Sequence, residues 1–243
     1  NIIRLLLLSG VIAGFSACVN GSQKELAQER TRYEFGNILD IEITPDSTTR
    51  RVGCFTDAGS WMGFTIPQQD KWVNGFCGPF SIDHRIWFAQ SAVVAGLIGE
   101  TSEMTPDSTS YFPGEVYMSC VSADAKIDQR MNFIDSSTAL LQVETNSEKG
   151  LCFTGKQWSG SVKLEVERNV LTARHQDGEI ITLTFDSDIT LSCDGKNYIA
   201  QTQPGCKKTD VAISFFVSEK ELPAYEQRVQ LSLIHISEPT RPY

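Results

Sequence analysis

The chain has 243 residues, 41% of them hydrophobic, with a formal net charge of -9 and a pI near 4.9. It carries no lysine–arginine run and no basic stripe, which argues against nucleic acid as a partner, and an acidic surface offers no attraction to anionic lipid. The apolar fraction supports a globular core, and the length between the two chain ends suits one large all-β domain.

The chain does not open with methionine and reads as clipped at its N-terminus. Ile2–Phe15 is apolar with Arg4 ahead of Leu5–Leu8, the basic-then-apolar layout of a secretory signal. It is shorter than the roughly 20 apolar residues of a membrane span. Phe15-Ser16-Ala17-Cys18 resembles a bacterial lipobox, with phenylalanine where leucine is usual. Residues 1–18 are therefore expected to be a lipoprotein-type signal peptide, with Cys18 the lipidation site and 19–37 a polar tether. The chain would be exported as a bacterial lipoprotein facing the periplasm or cell surface, with the lipid anchor its one membrane contact. An ordinary signal peptide with an incidental cysteine, or a buried helix, remains open.

From residue 38 the pattern is that of short strands. Ile38–Ile43 is a candidate strand, and Ile86–Ala95 another that Gly96–Gly99 breaks. Thr101–Ser110, rich in Ser, Thr and Asp, reads as a polar loop. Strands are expected at Val116–Val121, Lys126–Phe133, Ala139–Glu144, Leu151–Thr154, Val162–Val166, Val170–Ala173, Ile180–Phe185, Ile189–Cys193, Asn197–Ala200 and Val211–Val217. Val162, Leu164 and Val166 alternate with Lys163, Glu165 and Glu167, one face in and one face out. Asp177-Gly178 and Asp194-Gly195 are tight-turn dipeptides. Short strands at this spacing predict an antiparallel β-sandwich, supersandwich-like, over 38–217. Ser218 with Glu221 three residues on reads as a capping box opening a linker helix over 218–230. Leu231–Arg241 (LSLIHISEPTR) reads as translated sequencing-adapter sequence, so 231–243 is set aside and the natural protein is expected to run on past Gln230.

The stretch Cys54–Phe80 differs from its surroundings. Glycines recur at Gly59, Gly63, Gly75 and Gly78 among Phe55, Trp61, Phe64, Trp72, Phe76 and Phe80. Flat rings beside turns can line a shallow sugar-binding surface, because a pyranose offers an apolar C–H face. Asp57, Trp61, Phe64 and Phe76 are the substrate-rim candidates. From composition alone the more ordinary reading takes the same rings as sandwich core, the glycines as bulges or bends, and Asp57 as a turn residue.

Setting Cys18 aside leaves Cys54, Cys77, Cys120, Cys152, Cys193 and Cys206. An even set in an exported chain suggests disulfides, with Cys193–Cys206 and Cys54–Cys77 the first pairs to consider, and free buried thiols the alternative. None has the spacing of a zinc motif, and no metal or cofactor is expected. Asp83 and His84 would point to opposite faces on a strand. No serine–histidine–acid arrangement is visible, and His84 and His175 read as surface or satisfied core histidines.

FTDAGSWMGFTIP followed by NGFCGPF resembles the N-terminal β-sandwich domain of glycoside hydrolase family 63, in particular its bacterial α-glucosidase-like branch. Phe55, Asp57, Gly59, Trp61, Gly63, Pro67, Gly75 and Phe76 fall on the family pattern. Met62 stands where the family has histidine, Ser60 where it has alanine and Asn74 where it has glycine. Tyr111–Val116, Ser137–Thr145 and Phe216–Gln230 continue the likeness more weakly. The resemblance implies a non-catalytic domain of an exported inverting glycosidase acting on oligosaccharides. The family's acid and base lie on a separate (α/α)₆ barrel after the sandwich, about 6.5–9.5 Å apart as inversion requires. The sandwich would pack on that barrel and help shape its pocket, and no catalytic residue is assigned here. A stand-alone carbohydrate-binding or structural surface lipoprotein is the alternative.

Overall fold

The computed structural model describes residues 42–45, 53–100, 104–186 and 188–223. The signal peptide, Cys18, the tether, most of Ile38–Ile43 and everything past residue 223 lie outside the described residues.

Alternation builds the strands. Lys126–Phe133 buries Ile127, Gln129, Met131 and Phe133 and turns Lys126, Asp128, Arg130 and Asn132 outward, the period of two that a half-buried strand requires. The described residues hold fifteen strands, of which some alternate in this way and others, such as β1, β2 and β12, are buried on both faces: β1 Met62–Thr65, β2 Cys77–Ser81, β3 Ile86–Trp87, β4 Ala89–Leu97, β5 Thr105–Phe112, β6 Glu115–Val121, β7 Lys126–Phe133, β8 Thr138–Thr145, β9 Leu151–Trp158, β10 Val162–Glu167, β11 Val170–His175, β12 Ile180–Phe185, β13 Thr190–Cys193, β14 Tyr198–Gln201 and β15 Lys208–Phe216. One 3₁₀ turn, Gln69–Lys71, joins β1 to β2.

They form two sheets. One runs β1-β2-β4-β9-β14-β13 with β3 beside β2; the other runs β10-β11-β12-β15-β8-β7-β6-β5. Every strand ladder is antiparallel except the single bridge between Gly78 and Ser91. Between the sheets lie Phe64, Phe88, Phe153, Met118, Met131, Leu141, Leu183 and Ile213, each 2% exposed or less. Each such side chain contributes about 1.5–3 kcal/mol by leaving water. The edges meet too. Ile66 N–H donates to Tyr111 Oη of β5, and Leu164 N–H of β10 donates to Gly195 O beside β13. The fold is the antiparallel β-sandwich that the alternation predicted.

Two local expectations change. Thr101–Ser110 is not all loop, because β5 begins at Thr105 and pairs with β6, Thr105 opposite Val121. Its first four residues are exposed, so as an edge strand it needs no apolar alternation. Ile86–Ala95 is not one strand but two, divided at Phe88. At the exit, Ser218–Leu222 makes two successive turns, Glu221 N–H to Ser218 O and Leu222 N–H to Glu219 O. Glu221 accepts from Val217 N–H rather than from Ser218.

Register fixes which loops share an end. Phe112 faces Glu115, Val116 faces Met131, Phe133 faces Ala139, Thr138 faces Ser214, Phe216 faces Ile180 and Arg174 faces Ile180. The 113–114, 134–137 and 176–179 turns and the exit at 217–223 therefore cluster at one end of the sandwich. Met62 opposite Ser81 and Ser81 opposite Ile86 put Trp61 and the 82–85 turn at one end of the other sheet, and the Ser81 Oγ–Glu179 hydrogen bond (2.7 Å) ties the two ends together.

Candidate functional site

The stretch Cys54–Phe80 divides into two parts. Phe64 and Phe76 are 1% and 2% exposed and lie in the core, where they pack with Gly78, Ala92, Val93, Met131, Leu141 and Ile213 so closely that no water fits among them. As rim candidates they are corrected: both face inward, where β1 and the approach to β2 must fill the space between sheets. The glycines serve the same packing. A Cβ on Gly75 would sit 2.1 Å from Val93 O, and one on Gly63 would sit 2.3 Å from Cys54 Sγ. At Gly75 the obstacle is backbone, which leaves no room for a side chain, whereas at Gly63 the Cys54 side chain would have to turn away.

Asp57 and Trp61 lie on the surface. Asp57 Oδ1 accepts from Ala58 N–H at 2.7 Å, and Asp57 O accepts from Ser60 N–H. That is a tight turn, with Ala58 and Gly59 at positive φ. Its carboxylate overhangs the β5–β6 turn, where a Cβ on Gly114 would lie 3.5 Å from Oδ2. Trp61 is 56% exposed, and among the described residues no other aromatic is classed as exposed. Its backbone is held on both sides. Ser60 Oγ accepts from Met62 N–H, Thr56 Oγ1 donates to Ser60 O, and Trp61 O accepts from Ile82 N–H at 2.9 Å. The ring is thus displayed on a fixed main chain.

Ile82 begins the β2–β3 turn, and the residues on either side of it form a second polar cluster. Glu179 is fully buried. Its Oε1 accepts from Ser81 Oγ at 2.7 Å and lies 2.8 Å from His84 Nδ1, while its Oε2 is buried with no hydrogen-bond partner. His84 is half exposed, and its Nε2 lies 3.9 Å from Asp83 Oδ2. Asp83 and His84 are therefore not on opposite faces of a strand: the turn brings them side by side. Ser81 and Glu179 were not singled out from the sequence. They are 98 residues apart, and the one local signal is a carboxylate between the Asp177-Gly178 turn and the mostly apolar strand Ile180–Phe185.

A different polar cluster sits within the core. Asn74 Nδ2 donates to Ala95 O at 2.6 Å. Its Oδ1 accepts from Cys120 Sγ at 2.6 Å and from Gln129 Nε2 at 2.9 Å. Asn74 thus joins the two sheets.

The six described cysteines are free. Phe55 bridges Phe64, which sets Cys54 beside Thr65, and Thr65 faces Cys77. One strand thus separates the two cysteines, about 10 Å at two strand spacings against the roughly 4.4–6.8 Å a disulfide spans. Cys193 faces Tyr198 at the turn of the β13–β14 hairpin, whereas Cys206 follows the far end of β14. Burial pushes the Cys77 thiol up to about 12 against the pull of Thr65 and Thr44 hydroxyls. It pushes Cys120 up to about 12 against its bond to Asn74. Burial raises Cys54 and Cys152 as well.

Fold and surface together define a β-sandwich domain with a displayed aromatic ring and, at the same end, a buried carboxylate. No protein-family profile matches the chain, and no curated protein matches it. Among solved structures it is similar to the heparan sulfate lyase HepC from Pedobacter heparinus, with TM-score 0.40 and 10% identity over 66% of this chain and 29% of that one. It is similar to a heparinase III gene product, with TM-score 0.38 and 9% identity over 66% and 29%. A glycoside hydrolase family 81 protein from Clostridium thermocellum gives TM-score 0.34 and 12% identity over 75% and 26%. The chain spans less than a third of the length of these proteins.

Proposed function

We propose that this sandwich is a non-catalytic domain of an exported carbohydrate-active protein of the family 63 kind, contacting oligosaccharide through Trp61. The observation that carries the reading is the exposure of Trp61, at 56%, in a stretch whose other aromatics are buried or half-buried. An indole fixed by its own backbone offers a flat apolar face to a pyranose at little entropic cost. Asp57 stands four residues before it as a hydroxyl acceptor, although its Oδ1 is already engaged in the turn.

The chain exit at 217–223 leaves from the Trp61 end, and this supports a following domain seated against that end. Arg174 on β11 pairs with Glu219 and with Glu165 at 3.2 Å, which holds the exit against the sheet. In this reading the following domain is the helical barrel that the resemblance implies, and its carboxylates do the chemistry. Export through the 1–18 signal and anchoring at Cys18 belong to the same proposal.

The test is affinity electrophoresis of the full chain in gels with and without a soluble α-glucan, beside an assay on a chromogenic α-glucoside. Retardation by the glucan with no hydrolysis is expected. Hydrolysis by this chain, or unchanged mobility, would overturn the reading.

A further inference from the structure

We propose that His84 is a second ligand contact beside Trp61, with Nε2 as its binding atom, and that Glu179 is the positioning residue that orients it. This rests on the carbohydrate reading of Trp61 and names a contact that reading does not use. A carboxylate oxygen accepts hydrogen bonds, and a bare imidazole nitrogen 2.8 Å from it would meet lone pair with lone pair. The 2.8 Å approach of His84 Nδ1 to Glu179 Oε1 therefore places the proton of a neutral ring on Nδ1. Nε2 is left as the acceptor on a half-exposed ring, with Asp83 Oδ2 3.9 Å away on its solvent side.

Glu179 has the means to hold that arrangement. It is fully buried, and the Ser81 hydroxyl fixes the same oxygen that faces His84. Ser81 Oγ also accepts from His84 N–H at 3.3 Å, so side chain and backbone of His84 are pinned from one point. A fully buried carboxylate is costly, and such groups persist where a surrounding structure imposes them. Here the cost sets the tautomer and direction of an exposed ring, as a buried acid does for any histidine that must offer its second nitrogen. Ile82 N–H, two residues before His84, donates to Trp61 O. The ring that would stack a sugar and the nitrogen that would accept its hydroxyl are thus carried on paired backbone. The ligand class is a saccharide with a free hydroxyl at the edge of its stacked ring.

Two measurements on the full chain test this. The first is the ¹⁵N–¹H correlation of His84 above about pH 8, where an ordinary imidazole is neutral. The Nδ1–H tautomer is expected in the wild type, relaxing to a mixture in E179Q. An Nε2–H wild-type ring would overturn the inference whatever the sugar does. The second is maltotetraose binding by calorimetry. H84A is expected to lose about fivefold in affinity, the worth of one ordinary hydrogen bond, with E179Q losing less. If Trp61→Ala abolishes binding while H84A binds like wild type, the inference falls and the carbohydrate reading stands. If the wild-type chain does not bind maltotetraose, both fall.

Discussion

Trp61 and Phe64 are three residues apart, and their surroundings oppose each other. Phe64 sits between the sheets at 1% exposure, whereas Trp61 stands at the sandwich end at 56%. The interior part of the stretch is close packing: Gly75 lies where a Cβ would run into the Val93 backbone, and Asn74 ties the two sheets by hydrogen bonds. The surface part is display: a turn built by Asp57, a backbone clamped by Ser60 and Ile82, and a ring left to water. One composition serves both, so a run of glycine and aromatics does not by itself distinguish core from binding surface. What separates them is whether the facing sheet covers the position.

That contrast can be broken at the interior first. Gly75→Ala places a methyl 2.1 Å from Val93 O, which is backbone and cannot swing aside. A loss of about 4 kcal/mol is expected, in the range reserved for overpacked cores and lost backbone geometry, read as a collapse of the urea midpoint. A neutral midpoint would mean that Gly75 does not hold the interior together. Asn74→Ala comes next. It leaves Gln129 Nε2 and Ala95 O without their described side-chain partner, an expected cost of about 1–3 kcal/mol. Gln129→Leu in the same background should recover part of that cost, because two polar groups removed together leave fewer orphans. No recovery would show the pair to be independent.

Thiol chemistry sharpens the contrast without a substitution. Cys77 and Cys120 are fully buried with thiols pushed up to about 12, so a maleimide should leave both unmodified in the native chain near neutral pH and label both in denaturant. Site-mapped mass spectrometry checks this. A Cys54–Cys77 or Cys193–Cys206 peptide would contradict the strand spacing that keeps those pairs apart.

How much of this was legible in the sequence depends on distance along the chain. The strands with clean alternation, such as Val162–Val166, and the Asp-Gly hairpins were readable because neighbouring residues encode them. β5 was not, because an exposed edge strand carries Thr, Ser and Asp and looks like a loop. The Cys54–Phe80 rings were ambiguous for a related reason: the cover over Phe64 comes from Met131, Leu141 and Ile213, far away in sequence. Glu179 and Ser81 were invisible, since nothing local marks two residues 98 apart as partners. Asp57 was readable as a turn residue from its place before Ala58-Gly59.

The most direct test is Trp61→Ala, compared with wild type in two readouts at once. Stability should change by no more than about 0.5 kcal/mol, as for an exposed side chain outside the packing, while maltotetraose binding by calorimetry is lost. A variant that unfolds with binding would return Trp61 to the core side of the contrast. A variant that keeps both its stability and its affinity would contradict the claim that this ring is the carbohydrate contact.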